Sequence, residues 1–326
     1  MTNALALPAI VIIDLVRCIY RARHRAIAIA TPKPQGAFMK YGVVFPHNEI
    51  GADPGAIKAF AQGAEALGAD HMLIYDHVLG ADPKHHGGRM AYTKDTQFHE
   101  PFTTLSYIAA VTERIGLMTT VLILPQRQTA LVAKQAAQVA LLSNNRLRLG
   151  VGTGWNKVEY EALNEDFKTR GRRQTEQVEL LRKLWNDDSL TYRGKYHTVT
   201  AASINPRPSQ PIEVWFGGAA PALLKRCAEL GDGWIPLMGP TPEAAAALAG
   251  IRAARAALGK TMEGFGVQAQ AQVRGGTPER WHSHAQKWRD VGATHIAIAS
   301  QTADLGNVEG HLRAMANYLA VVREVN

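Results

Sequence analysis

An eightfold α/β barrel, the (β/α)8 TIM barrel, is the fold class this sequence predicts, and three observations predict it. From residue 41 onward, short apolar runs alternate with amphipathic stretches eight times over, the signature of parallel strands joined by crossover helices. The chain has 326 residues and is 46% hydrophobic, enough to bury one large core, and barrels of this kind reach such lengths as a single domain. The strands also end in small, hydroxylated or histidine-bearing segments, and the carboxyl ends of strands are where α/β sheets and barrels collect ligands. A doubly wound open sheet is the competing architecture.

Each element has its own warrant in the sequence. The first strand covers 41–45 and ends in Pro46-His47. Asp53-Pro54 caps and opens a helix that runs through Leu67, with Gly68 just past its end. The second strand, 71–75, ends in Asp76-His77. A polar segment over 78–99 follows; it exceeds an ordinary barrel connection, and such segments serve as lids or binding loops or are disordered. A helix over 103–112 leads to strand three at 115–124, then to a helix at 131–142 and strand four at 147–151. Helix 169–186 sets Val178, Leu181, Leu184 and Trp185 on one face, and 190–199 reads as a hairpin turning at Arg193-Gly194. Strand five, 212–216, ends in Gly217-Gly218 before a helix at 221–230. Strands 233–236, 265–273 and 294–299 complete the eight, with helices at 242–258, 278–291 and 305–322.

The net charge of +8 invites a nucleic-acid reading, which its distribution removes. Residues 1–38 hold Arg17, Arg21, Arg23, Arg25 and Lys33 against Asp14, leaving 31 basic and 27 acidic residues, a balance of +4, over the rest. Those charges are interspersed as on a solvated surface, and no basic stripe is interleaved with aromatics. The apolar run within 1–38 is shorter than the ~20 residues of a membrane span, and its basic residues follow the run where a signal peptide would put them first. The expectation is a folded domain over 39–326, with 1–38 an extension that is disordered or lies upstream of a true start at Met39; a basic membrane anchor is the alternative. Two cysteines, Cys18 and Cys227, exclude a disulfide framework and fit a reducing cytoplasm.

On the barrel reading, the mouth collects His47, Asp76, His77, Thr119, Thr120, 152–155, Gly217, Gly218, Leu237, Gln270 and Ser300. Bland readings stand beside these. Asp76 could cap a loop beside a satisfied His77, and the threonines could be ordinary β-branched strand residues. Gly150-Val-Gly-Thr-Gly lacks the third glycine of a dinucleotide fingerprint, because Trp155 stands there, and no acidic partner follows. Gly217-Gly218 ahead of a helix N-terminus is a candidate phosphate cradle, since backbone N–H groups and the helix dipole both favour an anion; a simple tight turn is the alternative. No metal site is predicted: His85-His86 and His282/His284 lack carboxylate or thiol company. A nucleophile elbow is also missing.

Seven motifs in order carry a resemblance. They are Tyr-Gly-Val-Val-Phe-Pro at 41–46, Ile-Tyr-Asp-His at 74–77, Phe-His-Glu-Pro-Phe at 98–102 and Thr-Thr-Val-Leu-Ile-Leu-Pro-Gln-Arg at 119–127, followed by Arg-Leu-Arg-Leu-Gly-Val-Gly-Thr-Gly-Trp-Asn at 146–156, Val-Trp-Phe-Gly-Gly at 214–218 and Gly-Asp-Gly-Trp-Ile-Pro at 231–236. Together they resemble the luciferase-like monooxygenases over 39 to about 320, most closely the branch that uses the deazaflavin coenzyme F420. The resemblance implies a bacterial luciferase-like barrel that binds F420, or FMN as the alternative, in its mouth. Asp76 and His77 would lie beside the ring as catalytic residues, His77 moving a proton. Thr119, Thr120 and Val121 would form the ring's back wall, with a cis peptide at Thr120-Val121. Gly152, Thr153, Gly154 and Trp155 would line the cofactor, and Gly217, Gly218 and Ala219 would hold its phosphate.

The same resemblance implies hydride transfer to or from a small organic substrate in a cytoplasmic homodimer, with loop 78–99 closing over the ring. The FMN alternative is a monooxygenase fed by a flavin or F420 reductase; a flavin-binding protein without turnover is a further one. One departure bears on the substrate. Sugar-phosphate dehydrogenases of this family carry an acid–base glutamate where Trp155 stands, so that substrate is disfavoured and a more apolar pocket is expected. A phosphate-sugar isomerase or aldolase on the same barrel would need a lysine or paired carboxylates at strand ends, and none is well placed.

Overall fold

Eight parallel strands close on themselves in the computed structural model, which describes residues 39–86 and 91–325. The extension expected over 1–38 lies outside the described residues. The barrel strands are β1 (Lys40–Val44), β2 (His71–Ile74), β3 (Gly116–Thr119), β5 (Leu147–Gly152), β8 (Glu213–Gly217), β9 (Gly233–Ile235), β10 (Gly266–Gln272) and β11 (His295–Ala299). Closure is direct, because β1 pairs with β2 on one side and with β11 on the other, Lys40 lying opposite His295. The third strand position is split. After β3 the chain breaks register and resumes as β4 (Leu122–Ile123), and both pieces pair with β5. The break contains a cis peptide at Thr120–Val121.

The principal outer helices are α1 (Pro54–Ala66), α2 (Pro101–Val111), α3 (Thr129–Leu142), α5 (Arg170–Asn186), α6 (Pro221–Leu230), α7 (Pro242–Ala257), α8 (Pro278–Val291) and α9 (Val308–Val322). Their starts follow local capping chemistry. Asp53 accepts from the Gly55 and Ala56 N–H groups ahead of α1. The Glu100 carboxylate accepts from Thr103 N–H, which is why α2 begins at Pro101 and not at 103. Asn307 caps α9 by accepting from Gly310 N–H, so that helix starts three residues later than the periodicity suggests. A short helix, α4 (Lys157–Ala162), capped by Asn156, was not foreseen. The hairpin consists of β6 (Leu190–Arg193) and β7 (Thr198–Ala202), so its turn lies beyond Arg193, with Gly194 N–H donating to His197 O. Among the described residues no helix is long and apolar enough to cross a membrane.

The lumen is a packed core, as barrels of this size require. Its middle consists of Val44, Leu73, Met118, Trp215, Ile235, Ala297 and Ala299, capped toward the mouth by Tyr75 and Val121. The Trp215 indole fills the space in which Gly233 and Gly266 would otherwise carry side chains; added Cβ atoms there would lie 2.3 and 1.8 Å from it. Below this layer sit two buried imidazoles, His71 and His295, with ring centroids 5.3 Å apart. Gly42 leaves room for the first of them, since a Cβ there would lie 2.4 Å from His71 Nε2.

These rings set an acid limit on stability. Burial pushes His71 down to about 3 and His295 down to about 2, and His47 at the mouth is likewise pushed down to about 3. All three are neutral when folded but take up protons near pH 6.5 when unfolded. Their contribution is therefore complete above about pH 6.5 and is lost as pH falls toward about 3, each ring removing about 1.4 kcal/mol per pH unit. Denaturant titrations at pH 7.5 and 5.5 should differ by roughly 4 kcal/mol from the three rings together. His71→Gln should flatten that slope by about a third; an unchanged slope would assign the acid sensitivity elsewhere.

Candidate functional site

The floor of the mouth depends on missing side chains. Val121 leans across the ends of β5 and β8, where its methyl groups occupy the positions that Cβ atoms on Gly152 and Gly217 would take, 2.3 Å away in each case. Gly154, at φ +65°, lets the next loop press onto Ile123, where a Cβ would meet Cγ2 at 2.6 Å. Thr119 is buried and donates its hydroxyl to Gly150 O at 2.7 Å. Thr120 N–H donates to Ile74 O at 2.7 Å, while its buried hydroxyl has no partner among the described residues. Thr153 O accepts from Tyr160 OH at 2.7 Å, and Trp155 stands 45% exposed at the rim.

His77 is enclosed by rings. Its centroid lies 4.7 Å from Phe98, 4.9 Å from Tyr92 and 5.8 Å from Trp155. Glu159, on α4 and 1% exposed, brings Oε1 within 3.4 Å of His77 Nδ1 and accepts from the Val78 and Leu79 N–H groups at 2.6 and 3.2 Å. Asn156 completes this anchor by donating to Leu79 O at 3.0 Å. The base of the 78–99 loop is thus pinned to α4. Nothing in the sequence pattern pointed to Glu159, although its place one turn beyond the Gly-Thr-Gly-Trp-Asn motif is a signal that could have been read.

Asp76 is engaged differently from its neighbour. Its buried carboxylate accepts from Arg127 Nη2 at 2.7 Å and Nε at 3.2 Å, and from Ile123 N–H at 2.9 Å. Arg127 also reaches Glu100 Oε1 at 3.2 Å. Both oxygens are engaged, and they tie the end of β2 to the restart of the third strand. At the other expected station, Gly218 N–H already donates to Ile235 O at 3.0 Å, so it is not a bare phosphate donor. Donors for an anion shift to the partly exposed Ala219 and to the start of α6, which Ala220 leaves without a side-chain cap. Of the remaining mouth residues, Ser300 is buried against His311 Nδ1 at 2.9 Å, and Leu237 is 62% exposed.

Three substitutions separate these roles. Asp76→Asn should cost about 3–5 kcal/mol in chemical denaturation, the penalty for leaving a partly buried guanidinium short of its partner, and a loss below 1 kcal/mol would show the pair to be dispensable. Gly217→Ala should cost about 1–3 kcal/mol through overpacking against Val121. Val121→Ala in the same chain should recover most of that loss, and an additive double variant would contradict the notch.

Residues 28–318 match the profile of the luciferase-like monooxygenase family. An uncharacterised protein of Mycobacterium bovis is 36% identical over 209 residues, 62% of this chain and 72% of that one. An F420-dependent glucose-6-phosphate dehydrogenase of Amycolatopsis mediterranei is 34% identical over 195 residues, 56% of this chain but only 53% of the dehydrogenase. Among solved structures, an F420-dependent secondary alcohol dehydrogenase superposes with a TM-score of 0.72 at 16% identity, covering 87% of this chain and 99% of that one. The monooxygenase RslO1 of Streptomyces bottropensis superposes at 0.70 and 19% identity, covering 87% and 98%; at such identities the likeness speaks for the fold alone. A family match over nearly the whole chain, on a closed barrel of the expected form, makes this protein an oxidoreductase of the luciferase-like monooxygenase family.

Proposed function

We propose that the chain is a coenzyme F420-dependent oxidoreductase that moves a hydride to or from a small organic substrate. The observation that supports a ring cofactor in the mouth is the notch built by Gly152 and Gly217, in which Val121 is seated as an apolar face beside a Thr120 hydroxyl that has no partner among the described residues. A planar ring system needs such a face, and a buried hydroxyl without a partner is a group awaiting one. Thr119, Thr120 and Val121 would back the ring, and Gly152, Thr153, Gly154 and Trp155 would line it. Ala219, with the uncapped start of α6, would hold the phosphate, while Gly217 and Gly218 shape the turn that leads to it. The bound deazaflavin supplies hydride transfer, while the protein orients it and keeps water out.

His77 is the proton-moving residue in this reading, and Glu159 fixes its ring. The dehydrogenase relatives support F420 as the cofactor. Their sugar-phosphate substrate does not transfer, because Trp155 stands where that chemistry needs a carboxylate. Aromatic and aliphatic residues at the rim, Trp155, Val78 and Leu79, favour a substrate with a substantial apolar part. FMN fits the same notch, and the second reading is a monooxygenase supplied with reduced flavin by a partner reductase.

Fluorescence titration of the purified chain separates the two: deazaflavin should bind at least tenfold more tightly than FMN. The reverse order would favour the oxygenase, and binding of neither would remove the cofactor reading. His77→Ala should lower turnover by about 10²–10⁴-fold, the usual worth of a positioned acid or base, with cofactor affinity changed by less than a few fold. Full turnover in that variant would withdraw the assignment.

A further inference from the structure

One hydroxyl in the floor of the mouth is used by nothing described so far. His71, Leu73 and Tyr75 alternate along the second strand, so Tyr75 points into the lumen as the other two do, and it packs against the top of the lumen core beside Val121. Gln270 reaches it from β10 across the barrel, donating from Nε2 to the phenolic oxygen at 2.7 Å. Both residues are partly exposed, at the level where the lumen opens to the mouth. His47, itself buried, stacks on the Tyr75 ring at 6.0 Å and 16° and fixes its plane. Among the described residues the Tyr75 hydroxyl accepts from Gln270 and donates to none.

A phenol whose lone pair is taken by an amide N–H has its proton left to offer. Burial pushes the Tyr75 phenol up from its ordinary value, so that proton stays in place across the working pH range. The surroundings are otherwise apolar or aromatic: Val121 beside it, and the His77, Tyr92 and Phe98 cluster above. A fixed donor in such a setting discriminates, because an oxygen that meets it gains a hydrogen bond while a carbon in its place leaves the donor unpaired.

We infer that Tyr75, oriented by Gln270, is a specificity-determining residue that binds an accepting oxygen of an otherwise apolar small substrate, such as a ketone or alcohol oxygen. The inference rests on the proposed function only in taking the mouth as the place where a small organic substrate binds.

The test uses the full chain without added cofactor and two ligands of matching shape, cyclohexanone and methylenecyclohexane, titrated by tryptophan emission. The quantity read is the ratio of their dissociation constants in the wild type relative to that in Tyr75→Phe. The ratio should shift about tenfold against the ketone in the variant, the worth of one well-placed hydrogen bond, while methylenecyclohexane binding stays within twofold. Gln270→Leu should give a smaller shift in the same direction, because the phenol remains but is no longer aimed. An unchanged ratio in Tyr75→Phe overturns the inference, and so does a wild type that shows no saturable ketone binding. Deazaflavin and FMN titrations of the same samples keep the two readings apart: loss of cofactor binding in the wild type removes the proposed function and leaves the ketone ratio interpretable.

Discussion

The mouth of this barrel depends on a single buried ion pair. Asp76 ends β2, Arg127 follows the third strand, and their fork-on-fork contact fixes two neighbouring strand ends. Glu100 takes the remaining arm of the guanidinium while capping α2, so one side chain joins a strand end, a strand restart and a helix start. Such a pair gives little net stability over an apolar substitute, but its geometry is sharply defined. What it defines is direction. With Asp76 tied to the restart of the third strand, His77 emerges among Tyr92, Phe98 and Trp155. Glu159 then catches the two backbone N–H groups that follow. The imidazole is fixed from both sides along the chain before any ligand arrives.

Polarity along the lumen follows from strand parity. Inward positions on β2 read His71, Leu73, Tyr75, and those on β10 read Gln268, Gln270. The middle layer is apolar and closes the barrel, while polar side chains lie at the bottom and at the top. The bottom is the weaker arrangement. Among the described residues, both nitrogens of His71, Nε2 of His295 and Oε1 of Gln268 are buried without well-aligned partners, so the cost of charging these rings is high and falls on the folded state. At the top the corresponding pair is satisfied on one side and open on the other, which is the condition for binding. The same alternation thus yields an acid-sensitive base and, on the proposed reading, a ligand-facing floor.

Periodicity and capping made the barrel legible, because both are local. The eight strands and the helices that follow them could be read from apolar runs, Asp53-Pro54, Pro221 and Pro278, and α6 and α8 begin and end where the pattern says they do. What escaped was set by contacts between distant segments. The split of the third strand comes from Val121 turning into two glycine notches on other strands, and only the resemblance, not the residue pattern, pointed to a cis peptide there. The commitment of Asp76 needed Arg127, 51 residues on, and that of Glu159 needed the backbone of residues 78 and 79. Gly218 looked like a bare donor because a Gly-Gly pair carries no sign of the carbonyl at Ile235 that it serves. A sequence displays what a strand end contains but not which of its groups are already spoken for.

The two sides of the mouth differ in how freely they can change, and this explains why the cofactor class is more legible than the substrate. On the proposed reading, the cofactor wall is made of positions where a side chain is forbidden or fixed: Gly152, Gly154 and Gly217 have no room for a Cβ, and Thr119 is bonded to the chain beneath it. A substitution there disturbs the barrel itself, so the wall is tied to the fold, and a motif search finds both together. The rest of the mouth carries large side chains, Tyr75 in the floor and Tyr92, Phe98 and Leu237 on loops, and replacing a loop side chain alters the shape of the opening without unpacking a strand. On the proposed reading, substrate choice resides in residues that the fold does not dictate. Of these, Tyr75 alone directly follows a barrel strand and is braced from across the lumen, and a fixed donor among adaptable apolar surfaces is the feature from which a substrate's functional group can be inferred.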